Sequence, residues 1–140
     1  MGLQILIVDD SATMRTILRK AVVLSGYEVS AYLEASDGAE ALRVLAASWI
    51  DLILLDVHMP VMDGLTLLKL LQQDAVYRKI PVVLVTTEAC QEAIEEAFHL
   101  GVRAHVKKPF QPESIRGVLK EILGGEYARE AQEDLGGCDF

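Results

Sequence analysis

Asp9-Asp10, Asp56, Thr86-Thr87 and Lys107-Lys108-Pro109 are the groups whose types and placement could do chemistry together. Three neighbouring carboxylates repel one another and call for a cation. With oxygen ligands only, the cation that suits them is Mg2+, which keeps several waters and bridges carboxylates to phosphate. No Cys or His cluster offers a transition-metal alternative. Cys90 and Cys138 are the only cysteines, and they make neither a zinc pattern nor a disulfide framework. A carboxylate is also a competent phosphoryl nucleophile, forming an acyl phosphate. Such transfer rests on positioning and on neutralising the charge of the phosphoryl oxygens. A metal, a lysine and a hydroxyl would supply that neutralisation. Taken singly, each residue has an ordinary explanation: an aspartate favouring a helix N-terminus, a turn residue, a helix cap, a solvated lysine. Ser11 is available to cap the first helix, which leaves both Asp9 and Asp10 free for other work.

The elements that must position these groups can be read from the apolar pattern. Short β-rich runs predict strands at Leu3–Val8, Glu28–Glu34, Asp51–Asp56, Pro81–Thr86 and Arg103–Lys107. The continuous run Asp51–Asp56 implies burial on both faces. Between the strands, helical stretches are predicted at Ala12–Ser25, from the Asp37/Glu40 capping box through Ala47, at Leu65–Gln73, Cys90–Leu100 and Glu113–Leu123. Gly26 and Gly101 stop two of them. Five strands alternating with five helices predict an α/β fold, an open, doubly wound parallel sheet with helices on both faces. In such sheets ligands bind beyond the carboxyl ends of the strands. Four of the five predicted strand ends carry the groups named above, delivering them to one edge.

The 140 residues fit one domain, 51% of them hydrophobic and 24% charged, which excludes wholesale disorder. The net charge of −8 argues against direct binding to DNA or RNA. Half of that excess lies in residues 124–140, where five carboxylates face one arginine and the apolar periodicity stops. This acidic C-terminal tail is expected to be disordered. The apolar run Leu3–Val8 is too short for a membrane span or a signal peptide core. A cytoplasmic location without membrane insertion is the resulting expectation.

The runs Ile7-Val8-Asp9-Asp10-Ser11, Leu54-Leu55-Asp56-Val57-His58-Met59-Pro60, Met62-Asp63-Gly64, Val85-Thr86 and Lys108-Pro109-Phe110 resemble the receiver domain of bacterial response regulators. The resemblance covers about residues 3–123, and the Ala12-Thr13-Met14-Arg15 stretch is most similar to single-domain, chemotaxis-type (CheY-like) regulators. It implies a flavodoxin-like (βα)5 fold with strand order 2-1-3-4-5 and a receiver domain over residues 1–123. It also implies a signalling phosphoacceptor rather than an enzyme acting on an outside substrate. Asp56 matches the phosphoacceptor, Asp9 and Asp10 the Mg2+-binding pair, and the backbone carbonyl of His58 a further ligand. Thr86 and Lys108 match the hydroxyl and the amine that engage the phosphoryl group, and the Lys108–Pro109 peptide should be cis. The implied donor is a sensor histidine kinase or phosphotransfer protein. An unidentified output protein would be bound through the fourth helix, fifth strand and fifth helix. His105 stands where the family usually carries Tyr or Phe as a switch. His58, with Glu88, lies where it could tune the lifetime of an aspartyl phosphate, although a solvent-facing His58 is the plainer expectation. In the fifth strand, alternation predicts Val102, Ala104 and Val106 on one face, with Arg103, His105 and Lys107 on the other. Two flanking cations should keep the His105 ring neutral.

Two other classes share parts of this pattern. A flavodoxin-like electron carrier needs a Ser/Thr/Gly-rich phosphate loop after the first strand, where Asp9-Asp10 would instead repel a flavin phosphate. A Mg2+-dependent phosphohydrolase with an aspartyl nucleophile wants a D-x-D arrangement at the first strand and a substrate cap.

Overall fold

A computed structural model describes residues 2–124. Its elements are β1 (Leu3–Val8), α1 (Ala12–Leu24), β2 (Val29–Ala35), α2 (Gly38–Ala47), β3 (Leu52–Leu55), α3 (Gly64–Gln72), β4 (Val82–Thr86), α4 (Gln91–His99), β5 (Ala104–Lys107) and α5 (Pro112–Leu123). A 3-10 turn at Tyr77–Lys79, without a counterpart in the predicted elements, leads into β4. The five strands pair in parallel in the order β2-β1-β3-β4-β5, as expected. The tail expectation covers residues 124–140, of which 125–140 lie outside the described residues.

Each central strand is apolar on both sides because each side meets helices. Leu3, Ile5 and Ile7 of β1 join Leu52, Leu54, Val83 and Val85 in a core under α1 and α5, with Leu18, Val22, Ile115 and Leu119. Leu6 and Val8 point the other way, into a core with Ile53, Leu55, Leu84 and residues of α2, α3 and α4. The period of two along each strand thus divides one apolar run between two cores.

Side-chain caps mark the starts of α1, α2 and α3. The Ser11 hydroxyl accepts from Met14 N–H at 3.1 Å, and the Asp63 carboxylate accepts from Thr66 N–H at 2.9 Å. At α2 the Asp37 carboxylate accepts from Glu40 N–H at 2.8 Å, while the Glu40 carboxylate reaches back to Ser36 N–H at 2.5 Å. The return bond therefore lands one residue earlier than in the usual capping box.

The alternation expected for the fifth strand is corrected at Val102. This residue packs into the α2/α3/α4 core, whereas Ala104 and Val106 belong to the α1/α5 side. The strand begins only at Ala104. Gly101, at φ 100°, turns the chain out of α4 and Val102 N–H still donates to Ala97 carbonyl at 3.1 Å, so Val102 follows the helix end rather than the strand.

The β3–α3 loop contains one unusual backbone. Val61 has φ 67°, and Met62 N–H donates to Pro60 carbonyl at 2.7 Å around it. This is a γ-turn with a positive central φ, rare and strained, and a β-branched residue is the least suited to it. Val61 is 84% exposed, so its side chain gains little from packing. Val61→Asn, whose side chain tolerates this region, is expected to raise stability by about 1 kcal/mol. A urea midpoint below that of the parent chain would instead show that the valine methyls are needed.

Candidate functional site

Register brings the chemical groups together. β1 and β3 pair through Val8 and Leu55, so the next residues, Asp9 and Asp56, stand side by side at the point where the strand order reverses. Asp9 N–H donates to Ala35 carbonyl and Asp56 N–H to Val8 carbonyl, both at 3.0 Å, which carries the ladder up to the acidic residues themselves. On the other side Thr86 pairs with Lys107, and Lys108 N–H donates to Thr86 carbonyl at 3.0 Å.

Asp9 and Asp56 are buried and Asp10 is exposed. One carboxylate oxygen from each of the three lies within 4.8 Å of the others. The Lys108 ammonium donates to Asp9 Oδ2 at 2.6 Å and to Asp56 Oδ2 at 3.3 Å. Burial alone would pull the lysine pKa down. The hydrogen bond to Asp9 and the charges of Asp56 and Asp9 outweigh it and hold the amine above its ordinary value. The opposite oxygens are held by the backbone: Asp9 Oδ1 accepts from Ser11 N–H at 2.9 Å, and Asp56 Oδ1 from Val57 N–H at 2.7 Å. Three carboxylates against one ammonium leave two negative charges, the charge of one divalent cation. The Lys108–Pro109 peptide is cis.

Thr86 is wholly buried, and its hydroxyl accepts from Glu88 N–H at 3.1 Å. The Glu88 carboxylate accepts from Cys90 N–H at 2.7 Å and meets His58 Nε2 at 2.7 Å. These bonds hold the Glu88 carboxyl below its ordinary pKa, the Cys90 N–H contributing most. His58 is thus exposed yet tied to Glu88, a bridge from the end of β3 to the segment after β4.

His105 lies on β5 opposite Leu84. Its Nε2 is buried, with no hydrogen-bond partner among the described residues. Burial is the main force lowering its pKa and Lys107 the second; the structure gives no part to Arg103, which the flanking-cation expectation had included. Because the folded state prefers the neutral ring, stability attributable to His105 is complete above the unfolded value near 6.5 and lost as pH falls below it. His105→Phe is therefore expected to melt with a smaller loss between pH 7 and pH 5.5 than the parent chain does. Identical losses would mean that the fold does not resist protonating this ring.

One group of residues carried no functional expectation. Arg15 NH1 donates to the Asp9 backbone carbonyl at 2.5 Å, and Arg15 Nε to Glu34 Oε1 at 2.7 Å. Arg19 also pairs with Glu34, and its guanidinium lies 5.4 Å from the centre of the Tyr32 ring. A sequence signal existed: a cation in the first turn of a helix, where the macrodipole disfavours it.

The chain is similar to known proteins over most of its length. Residues 5–120 match the family model of the response regulator receiver domain. Chemotaxis protein CheY1 of Helicobacter pylori is 37% identical over 123 residues, 87% of this chain and 98% of the relative. A CheY homolog of Campylobacter jejuni is 34% identical over 132 residues, covering 91% and 100%. Among solved structures, chemotaxis protein CheY4 of Vibrio cholerae is similar with TM-score 0.76 and 33% identity, over 87% of this chain and 99% of that one. The receiver domain of a sensor histidine kinase from Pseudomonas aeruginosa PAO1, whose structure has a magnesium ion coordinated in the active site cleft, gives TM-score 0.75 and 27% identity, over 89% and 99%.

Proposed function

This chain belongs to the response regulator receiver domain family, a CheY-type receiver of two-component signalling, and on that premise we propose that Asp56 is its phosphoacceptor. The observation that carries the assignment is the position of Asp56. It is a buried carboxylate at the reversal of strand order, one oxygen held by Val57 N–H and the other facing the Lys108 ammonium. In the transfer, a carboxylate oxygen of Asp56 bonds to phosphorus as the bond from phosphorus to the donor's histidine nitrogen breaks, and the released imidazole keeps the electron pair. Lys108 offsets the added negative charge, and the Thr86 hydroxyl, already at the end of the neighbouring strand, is the group that turns to a phosphoryl oxygen.

The donor set fits Mg2+, since Asp9, Asp10 and Asp56 offer oxygen alone and leave two charges to be balanced. These residues, with the backbone carbonyl of His58, would hold it. When bound it supplies positive charge against the phosphoryl oxygens. A sensor histidine kinase or phosphotransfer protein is the donor in this reading, and a cytoplasmic location follows from it. No helix among the described residues is long and apolar enough to cross a membrane. The output partner meets the face of α4, β5 and α5, where Phe98 is 45% exposed and the buried Nε2 of His105 has no hydrogen-bond partner among the described residues. Phosphorylation shifts an existing equilibrium of that face.

Intact-mass measurement after incubation with acetyl phosphate tests the reading. One phosphoryl group per chain is expected with Mg2+, and none when a chelator is in excess. Full labelling in chelator would refute the acidic site.

A further inference from the structure

We infer that Arg15 is a positioning residue for the acidic pair: by holding the Asp9 carbonyl it aims Asp10 into the cation site. The inference rests on the proposed Mg2+ reading of Asp9, Asp10 and Asp56.

Asp9 and Asp10 reach the site by different means. Asp9 is fixed at every polar atom. Its N–H donates to Ala35 carbonyl, its two carboxylate oxygens accept from Ser11 N–H and the Lys108 ammonium, and its carbonyl accepts from Arg15. Asp10 is exposed, and among the described residues no hydrogen bond or ion pair to its carboxylate is present. What keeps a Asp10 oxygen within 4.8 Å of those of Asp9 and Asp56 is therefore its backbone. The Asp9 carbonyl and the Asp10 N–H share one planar peptide unit, so a donor that fixes the carbonyl fixes where the Asp10 Cα lies, and the Ser11 N–H bond to Asp9 Oδ1 holds the peptide on its far side. Between the two held planes the Asp10 Cα–Cβ direction is set.

Arg15 is built for this task. It is only 16% exposed, and its planar fork serves two acceptors at once, the Asp9 carbonyl and the Glu34 carboxylate. Glu34, at the end of β2, is held in turn by Arg19. The hydrogen bond from Arg15 is the largest cause keeping the Glu34 carboxyl below its ordinary pKa, so the pair is charged at neutral pH. Its place in the first turn of α1, against the helix dipole, needs a compensating attraction, and these two acceptors provide one.

For substitutions of Arg15, the sign of the effect separates positioning from simple charge. Removing a cation beside an acidic site should, by Coulomb's law alone, tighten cation binding. Loss of an outer support of a ligand should weaken it, by roughly 10-fold at the low end for such supports. The experiment is titration calorimetry with MgCl2 on the full chain, in the parent and in Arg15→Ala, Arg15→Lys and Glu34→Gln. In parallel, labelling by acetyl phosphate is followed as a function of Mg2+. Expected are a Kd about 10-fold weaker for Arg15→Ala, a smaller loss for Arg15→Lys, whose single ammonium serves one acceptor at a time, and a loss for Glu34→Gln, which removes the charge that holds Arg15. The labelling curves should shift to higher Mg2+ but reach the parent's plateau. An unchanged or tighter Kd in Arg15→Ala overturns the inference. Should that variant not fold, an unchanged or tighter Kd in both Arg15→Lys and Glu34→Gln overturns it equally. Failure of the parent chain itself to bind Mg2+ overturns the metal reading instead, and so the two failures are distinguishable.

Discussion

Asp56→Asn should leave the chain folded and unlabelled: after acetyl phosphate and Mg2+, intact mass should show no phosphoryl adduct at any time at which the parent chain is labelled. The expectation follows from local geometry. Asn replaces one carboxylate oxygen with an amide of nearly the same size, so the cores on either side of β3 are untouched. The amide lacks the charge that makes a carboxylate a phosphoryl nucleophile. The variant also removes one of three crowded negative charges, and Lys108 keeps Asp9 as a partner at 2.6 Å, so no loss of melting temperature is expected. Labelling at the parent rate would show that another group accepts the phosphoryl, and the assignment to Asp56 would fall.

Gly64→Ala should be the most damaging small substitution near the site. A Cβ at Gly64 would stand 2.3 Å from the Asp56 carbonyl oxygen and 3.0 Å from Val57 Cα. Both obstacles are backbone, and the segment cannot slide away while Gly64 N–H donates to Val57 carbonyl at 2.8 Å. Glycine is needed here for close approach rather than for a left-handed turn. Overpacking against atoms that cannot rotate aside is expected to cost about 3 kcal/mol, lowering the melting temperature by roughly 10 °C in a domain of this size. Because relief must move Asp56 or α3, acetyl phosphate labelling should slow even at temperatures where the variant is folded. A melting temperature within two or so degrees of the parent would mean that the β3–α3 junction yields readily to an added methyl group.

How much of this could be read beforehand depends on the range of the interactions involved. The five strands, and the chemical groups at four of their ends, were legible because burial on both faces produces unbroken apolar runs such as Leu52–Leu55, and because polar groups directly after such runs stand out. The Asp37–Glu40 box announced α2 through a spacing of three residues. Val102 was assigned to the wrong side since a period of two says nothing about where a strand begins, and that was settled by a bond back to Ala97. The Val61 turn was invisible because valine is the wrong residue for it. Only anchors elsewhere, such as Gly38 N–H donating to Met62 carbonyl at 2.9 Å, help hold the loop in that shape. Arg15, Glu34 and Asp9 lie up to 25 positions apart in the chain and meet through β1–β2 pairing. The sequence hint at Arg15 was a violated preference, which marks a residue without naming its partners.

The ammonium of Lys108, set between Asp9 and Asp56, is a counterion that cannot diffuse away. A chain that carries part of its own charge compensation on a covalent stem leaves less repulsion for an ion from solution to offset. In the proposed reading, Mg2+ then joins an edge that Lys108 already helps to hold together, and completes the charge balance without having to assemble it.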